Sequence, residues 1–287
     1  MTFRFSEVLY PGYTQRWDLE ITPIVDEHSA FQHIQVFDTP THGRVLALDS
    51  IVQLTERDEC AYSEMLAHVP IYSHGAVRRV MIVGGGDGAI AEEVLKHPTV
   101  AQVDLVDIDP RVIDIARLHF RSVSGTAFDD PRLSVHTEDA VAFLDRVGQG
   151  AAAPYDLVIA DRPDPVGPAQ VLFAERFYRL VAGALTPTGV SVYQTGAPFF
   201  QPQELTQAMA QMRPAFAHTG LYLTAVPTYV GGFMALAWGS VQTDLAAAPA
   251  DLEARFAAGP VATDYYTPAV HRAAFAIPPW IGRLAAG

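Results

Sequence analysis

Apolar positions in this chain first recur at the spacing of strands and later in an alternation of strand with helix. Between 15 and 54 the pattern is of short strands joined by turns. The runs 31–37 and 44–48 alternate or stay apolar on either side of Asp38-Thr39-Pro40-Thr41-His42-Gly43. A small β domain is expected there, over 1–56. Thr55-Glu56-Arg57-Asp58 then has the pattern of a helix N-terminus, with Met65, Leu66 and Val69 on one face and Pro70 near the end. From Arg79 the rhythm becomes strand, Gly-rich turn, helix, repeated, with strand candidates at 80–83, 103–106, 133–136 and 157–160. Phe173, Phe177, Leu180, Val181 and Ala184 fall at helical spacing and would cover the sheet. Such alternation predicts an α/β fold with a doubly wound parallel sheet over 57–287. Two later runs, 221–226 and 233–238, are close enough to form an antiparallel hairpin at its edge. The Ala-rich stretch 246–258 reads as a surface helix between Pro249 and Gly259. There is no internal repeat and no low-complexity segment.

A chain of 287 residues can bury a full α/β core with room for a small accessory domain. Nineteen basic against 32 acidic residues give a formal charge of −13, a field that repels nucleic acid and anionic membrane and draws in small cations. Cys60 is the one cysteine, which excludes an intrachain disulfide and points to a reducing compartment. The first ten residues lack the basic start and long apolar core of a signal peptide, and no apolar run approaches membrane-spanning length. A soluble, cytoplasmic protein is expected. The ten histidines are scattered without metal-ligand spacing, so no metal site is expected.

Candidate chemistry concentrates where predicted strands end. Tyr155-Asp156-Leu157-Val158-Ile159-Ala160-Asp161 reads as a buried strand, and Arg162-Pro163-Asp164-Pro165-Val166-Gly167-Pro168 cannot continue it. Asp161 and Asp164 are therefore carried out at the carboxyl edge of the sheet, where ligands bind in open parallel sheets. Fixed carboxylates there suit a cationic substrate, and one of them could accept its proton. Val83-Gly84-Gly85-Gly86-Asp87-Gly88-Ala89 follows the first core strand and opens a helix, with Asp107 about twenty residues on. Asp107 could accept from ribose hydroxyls. Asp87 would repel a pyrophosphate, which favours a nucleoside with a positively charged tail over a dinucleotide. Asp139 stands where a carboxylate could accept from an adenine amino group, or could instead serve as a helix N-terminal charge.

Together these residues resemble the polyamine aminopropyltransferases, of which spermidine synthase is the type. The likeness runs over nearly the whole chain: Gly43-Arg44-Val45-Leu46-Ala47-Leu48-Asp49, Val52-Gln53-Leu54-Thr55-Glu56-Arg57-Asp58-Glu59, the glycine turn, the aspartate loop, Pro227-Thr228-Tyr229 and Tyr265-Tyr266-Thr267-Pro268-Ala269-Val270-His271. The resemblance implies a Rossmann-like, methyltransferase-like catalytic domain behind a small N-terminal β domain. The implied reaction moves the aminopropyl group of decarboxylated S-adenosylmethionine to a diamine such as putrescine, with no cofactor, the sulfonium donor being a co-substrate. It further implies that Asp161 is catalytic and that Asp164, Tyr62, Tyr229 and Gln194 contact the acceptor. The donor would meet Gln32, Gln53, Gly84, Gly86, Asp87, Asp107, Asp139, Ala140 and Pro168. A homodimer or homotetramer is expected on the same ground.

The implied chemistry suits these residue types. An alkyl ammonium with a pKa of about 10 has no lone pair, and making its neutral form costs roughly 4 to 5 kcal/mol at pH 7, so a carboxylate base is needed. Asp161 is the candidate. The chain departs from the family pattern at Arg162-Pro163, where small polar residues are usual, at Ser63, where His or Gln is common, and at Asp107, where Glu is usual. Arg162 is expected to point to solvent or pair with a nearby acid; facing the pocket, it would suit an acceptor that carries a carboxylate. Agmatine, cadaverine or spermidine as acceptor stay open, as do an S-adenosylmethionine-dependent methyltransferase and a catalytically silent polyamine-binding protein. Loss of Asp161 would be expected of the last, and Asp161 is present.

Overall fold

In a computed structural model, residues 3–150, 152–163 and 167–287 are described, with backbone alone at 167–169. The chain opens with a two-stranded antiparallel ribbon, β1 (Phe3–Glu7) against β2 (Gln15–Leu19). An antiparallel sheet of β3 (Val25–His28), β4 (His33–Thr39), β5 (Gly43–Leu48) and β6 (Ile51–Thr55) follows in sequence order. Helix α1 (Cys60–His74) leads into β7 (Arg79–Gly84), α2 (Ala89–Leu95), β8 (Gln102–Asp107), α3 (Pro110–His119), α4 (Arg121–Ser124), β9 (Leu133–Thr137), α5 (Ala140–Gly148) and β10 (Tyr155–Asp161). A 3₁₀ segment, Gly167–Phe173, precedes α6 (Glu175–Ala184), β11 (Leu185–Gln194), α7 (Pro202–Met212), β12 (His218–Ala225) and β13 (Phe233–Ser240). Three short helices, α8 (Leu252–Ala258), α9 (Pro268–Ala274) and α10 (Pro279–Ala286), close the chain.

The large sheet runs β12-β13-β11-β10-β7-β8-β9, with β9, β8, β7, β10 and β11 parallel and the β12–β13 hairpin antiparallel at one edge. Its inner strands read as continuous apolar runs because both faces are covered. One apolar layer joins the sheet to α1 and α2 through Leu66, Val80, Ile82, Ile90 and Ile159. The other joins it to α5, α6 and α7 through Met81, Leu144, Val158, Phe177 and Met209. A third cluster, with Ile34, Val36 and Leu46 against Val112, Ile115 and Phe120, packs the N-terminal sheet onto α3 and α4. Among the described residues no helix is long and apolar enough to cross a membrane.

Strand order reverses at β7, whose neighbours are β8 and β10, so the crevice beyond the carboxyl ends of β7 and β10 is the topological switch point. Asp161 pairs in register with Gly84 at that point.

Several local expectations need correction. Phe31 lies outside β4 and is half exposed, while β1 precedes the first strand foreseen. Residues Thr55 to Asp58 are not the first turn of a helix. Thr55 ends β6, its hydroxyl donates to Asp58 Oδ1 at 2.6 Å, and α1 starts at Cys60. Pro70 sits inside α1, four residues before its end. Burial of nearly every residue of that helix outweighs the single backbone donor that proline removes. Phe173 belongs to the 3₁₀ segment rather than to α6. The surface helix expected between Pro249 and Gly259 is present but covers only 252–258 of the Ala-rich stretch, with Leu252 its one buried residue. Strand β11 was not foreseen, because Pro187 and Gly189 interrupt its pattern; they fall in an irregularity where the β10–β11 register shifts.

Candidate active site

Gly84 has φ +75°, and a Cβ there would lie 1.9 Å from the carbonyl oxygen of Asp161. A side chain at this position would therefore wedge β7 away from β10. Gly86 is constrained differently: its added Cβ would meet Asp107 Oδ2 at 2.6 Å. The absence of a side chain lets the Gly86 N–H donate to that carboxylate oxygen at 3.0 Å. The other Asp107 oxygen accepts from the Asp109 N–H at 2.8 Å. The glycine turn thus brings Asp87, Asp107 and Asp161 to one edge of the sheet.

Those carboxylates share a low-dielectric setting, with no cation between them among the described residues. Burial, reinforced by the charge of Asp87, pushes Asp161 up to about 7, against the opposing pull of a Tyr62 hydrogen bond. The Tyr62 hydroxyl donates to Asp161 Oδ1 at 2.7 Å. Burial also raises Asp87, although its Oδ1 accepts from the Ala89 N–H at 2.8 Å. Asp107 is pushed up to about 6, again mainly by burial. Carboxylates so placed gain most from a ligand that carries positive charge.

A cavity adjoins this edge. Of the residues singled out from the sequence, Gln53, Tyr62, Ser63, Asp87, Asp161, Arg162, Gln194 and Tyr229 line it. The rings of Tyr62 and Tyr229 meet edge to face at 5.7 Å, and the Tyr229 hydroxyl donates to the Gln53 carbonyl. Gln32, Gly84, Gly86, Asp107, Asp139 and Ala140 are not in its wall but follow the strand ends away from it. Asp107 pairs in register with Thr137 of β9, which puts the turn bearing Asp139 next to it. Gln32 donates to Asp109 Oδ2 at 2.9 Å, beside the same turn. Asp139 caps α5, accepting from the Ala142 N–H at 2.7 Å, so the helix N-terminal charge is one of its uses. Ala140 is buried in the apolar layer with Phe143. Asp164 lies outside the described residues, as does the side chain of Pro168.

Arg162 takes neither of the two orientations first expected of it, solvent or a nearby acid, and it borders the cavity. It is 2% exposed and pairs with no acid among the described residues. Its Nε donates to the Gln194 carbonyl at 3.2 Å, Nη2 to the Tyr178 hydroxyl at 2.9 Å, and Nη1 to the Leu172 carbonyl. Ser63, the other departure, donates its hydroxyl to Glu59 Oε2 at 2.9 Å.

Sequence reasoning missed Glu59, Glu7, Tyr10 and Gln201, all in the cavity wall. Burial pushes Glu59 up to about 7 despite the Ser63 hydrogen bond, with the charge of Asp87 adding to the rise. Its place four residues before Ser63, one turn along the same helical stretch, was the available signal. Glu7 and Tyr10 come from the first hairpin and Gln201 from the segment after β11, and no local pattern marks them.

Comparison with known proteins agrees with this geometry. Residues 59–247 match the spermine/spermidine synthase domain, and residues 13–56 match the spermidine synthase tetramerisation domain. A polyamine aminopropyltransferase of Ruegeria sp. is 46% identical over 260 residues, covering 90% of each chain. Polyamine aminopropyltransferase 1 of Pseudomonas aeruginosa is 41% identical over 280 residues, covering 96% of each. A spermidine synthase crystallised with the transition-state analogue AdoDATO superposes with a TM-score of 0.91 at 30% identity, over 99% of this chain and 95% of that one. Spermidine synthase from Thermotoga maritima gives 0.88 at 30% identity, over 99% and 94%. Matched along most of its length by family model, relatives and solved structures alike, the chain belongs to the polyamine aminopropyltransferases, the enzyme family of the spermidine synthases.

Proposed function

We propose that this enzyme transfers the aminopropyl group of decarboxylated S-adenosylmethionine to putrescine, giving spermidine and methylthioadenosine, with Asp161 as general base. The observation that carries the reading is Asp161 itself. It stands at the switch point, hydrogen-bonded to Tyr62, in one cavity with Asp87 and raised to about 7. In the step, an N–H proton of the acceptor ammonium passes to Asp161. The freed lone pair forms a bond to the methylene carbon attached to sulfur, the C–S bond breaks, and its electron pair leaves sulfur as a neutral thioether. An ordinary carboxylate near pKa 4 facing an amine near 10 would take that proton at a deficit of about 8 kcal/mol. Raising Asp161 to about 7 leaves three units, or about 4 kcal/mol. Arrival of a cation favours the charged, proton-accepting form of the acid.

Asp87 would hold the donor's ammonium, and its charge opposes the carboxylate of intact S-adenosylmethionine. Asp107 and Asp139 would accept from the ribose and the adenine along the β8 and β9 ends. Tyr62, Tyr229, Gln194 and Asp164 would meet the acceptor. Both substrates must lie in line at sulfur, so holding them is a major part of the rate. The guanidinium of Arg162 is occupied by Gln194, Tyr178 and Leu172, which removes the motive for a carboxylated acceptor and favours a plain diamine. The match of 13–56 to a tetramerisation domain supports a homotetramer.

Chromatographic detection of methylthioadenosine, with the decarboxylated donor and a panel of amines, tests the reading. Release with putrescine above agmatine, cadaverine and spermidine is expected. No release with any amine, or transfer of a labelled methyl group from intact S-adenosylmethionine, overturns it.

A further inference from the structure

Arg162 carries a buried charge in a setting that, among the described residues, is built from carbonyls and rings rather than from an acid. Its guanidinium carbon lies 3.7 Å from the ring centroid of Phe173, 5.2 Å from that of Tyr193 and 5.3 Å from that of Tyr178. Its nitrogens donate to the Gln194 carbonyl at the end of β11, the Leu172 carbonyl in the 3₁₀ segment, and the Tyr178 hydroxyl on α6. Taking a cation out of water costs several kcal/mol unless its donors are satisfied, and here hydrogen bonds and aromatic faces satisfy them. One side chain thus ties three elements together immediately beside Asp161.

We propose that Arg162 is a positioning residue for the acceptor half of the site. In the sheet, β11 lies on the side of β10 away from β7, β8 and β9, whose ends carry Asp87, Asp107 and the turn of Asp139. A strut from residue 162 to Gln194 and Leu172 therefore fixes the wall that faces the amine and leaves the donor's strand ends untouched. Gln194 lines the cavity, and its backbone carbonyl is one of the strut's anchors. Misplacement of that wall by about 1 Å is enough to cost about 100-fold in rate. Lysine cannot replace the fork, because a single ammonium on a flexible stem does not reach three divergent acceptors at once.

The inference rests on the reading of the site given above. Arg162→Met and Arg162→Lys are compared with wild type in steady-state assays of methylthioadenosine release. Donor affinity is measured separately by calorimetry with methylthioadenosine. Both variants are expected to lose at least tenfold in kcat/KM for putrescine while methylthioadenosine affinity stays within twofold. A merely structural strut would lower the melting temperature and leave the kinetics of the folded fraction unchanged, and that result overturns the proposal. An equal fall in acceptor efficiency and methylthioadenosine affinity also overturns it. Should Arg162→Met fail to fold, Arg162→Lys alone decides between these outcomes. Wild-type enzyme that releases no methylthioadenosine with any amine would refute the underlying reading instead, a failure visible before any variant is made.

Discussion

Replacing Asp161 by Asn removes the proton acceptor while keeping an oxygen that can still receive the Tyr62 hydroxyl, now at 2.7 Å. Turnover must then draw on amine that is already neutral in solution. For an amine of pKa about 10 that fraction is about one in a thousand at pH 7, so the expected loss in kcat/KM for the acceptor is about 10³-fold. The same arithmetic gives a signature that misfolding cannot imitate: the variant's rate climbs about tenfold per pH unit between 7 and 9, while the wild type's does not. Stability should move the other way. Because burial and the Asp87 charge raise Asp161 to about 7, its ionised form strains the empty site at neutral pH, and Asn relieves that strain. The assay is chromatographic release of methylthioadenosine across pH, with thermal melts in parallel. Turnover by Asp161→Asn within tenfold of wild type at pH 7 refutes the assignment of the base.

Four further outcomes are expected. The melting-temperature gap between ligand-free Asp161→Asn and wild type should be near zero at pH 4. It should widen as pH rises to about 7 and then level off, since a raised acid loses its stabilising contribution between its unfolded value of 3.8 and its folded value of about 7. A gap of at least about 2 °C at pH 7.5 is expected by calorimetry, and a gap independent of pH refutes the strain. Gly84→Ala forces a Cβ against the Asp161 carbonyl at φ +75° and should cost about 3 kcal/mol or more in denaturant titrations. Gly183→Ala on α6, where an added Cβ meets nothing within 4 Å, should stabilise by about 0.5–1 kcal/mol. Asp87→Asn should weaken discrimination against intact S-adenosylmethionine, seen as tighter inhibition by that compound relative to the decarboxylated donor; an unchanged ratio would show that Asp87 does not read the difference.

Strands β7, β8 and β10 were legible because each is a largely apolar run closed by glycine or aspartate, and burial on both faces leaves little other composition open to them. Asp87, Asp107 and Asp161 were legible for the same reason, since acids that directly follow such strands emerge at the carboxyl edge. Strand β11 was hidden because Pro187 and Gly189 fall where its pairing with β10 is irregular, and pairing with neighbours on both sides overrides their local preference.

By itself, then, the residue order determined the alternation of elements, the acidic strand ends and, through long motifs, the family. Only tertiary structure decided which distant residues share the cavity. Glu7, Tyr10, Glu59 and Gln201 arrive there from the first hairpin, the start of α1 and the segment after β11. It also decided the fate of Arg162, which local chemistry would send to water or to an acid. The rings of Phe173, Tyr178 and Tyr193 with two backbone carbonyls hold it inside instead. The physical reason is common to both: periodicity and turn chemistry act over a few residues, whereas burial of a charge is settled by whatever the packed fold brings within hydrogen-bonding distance.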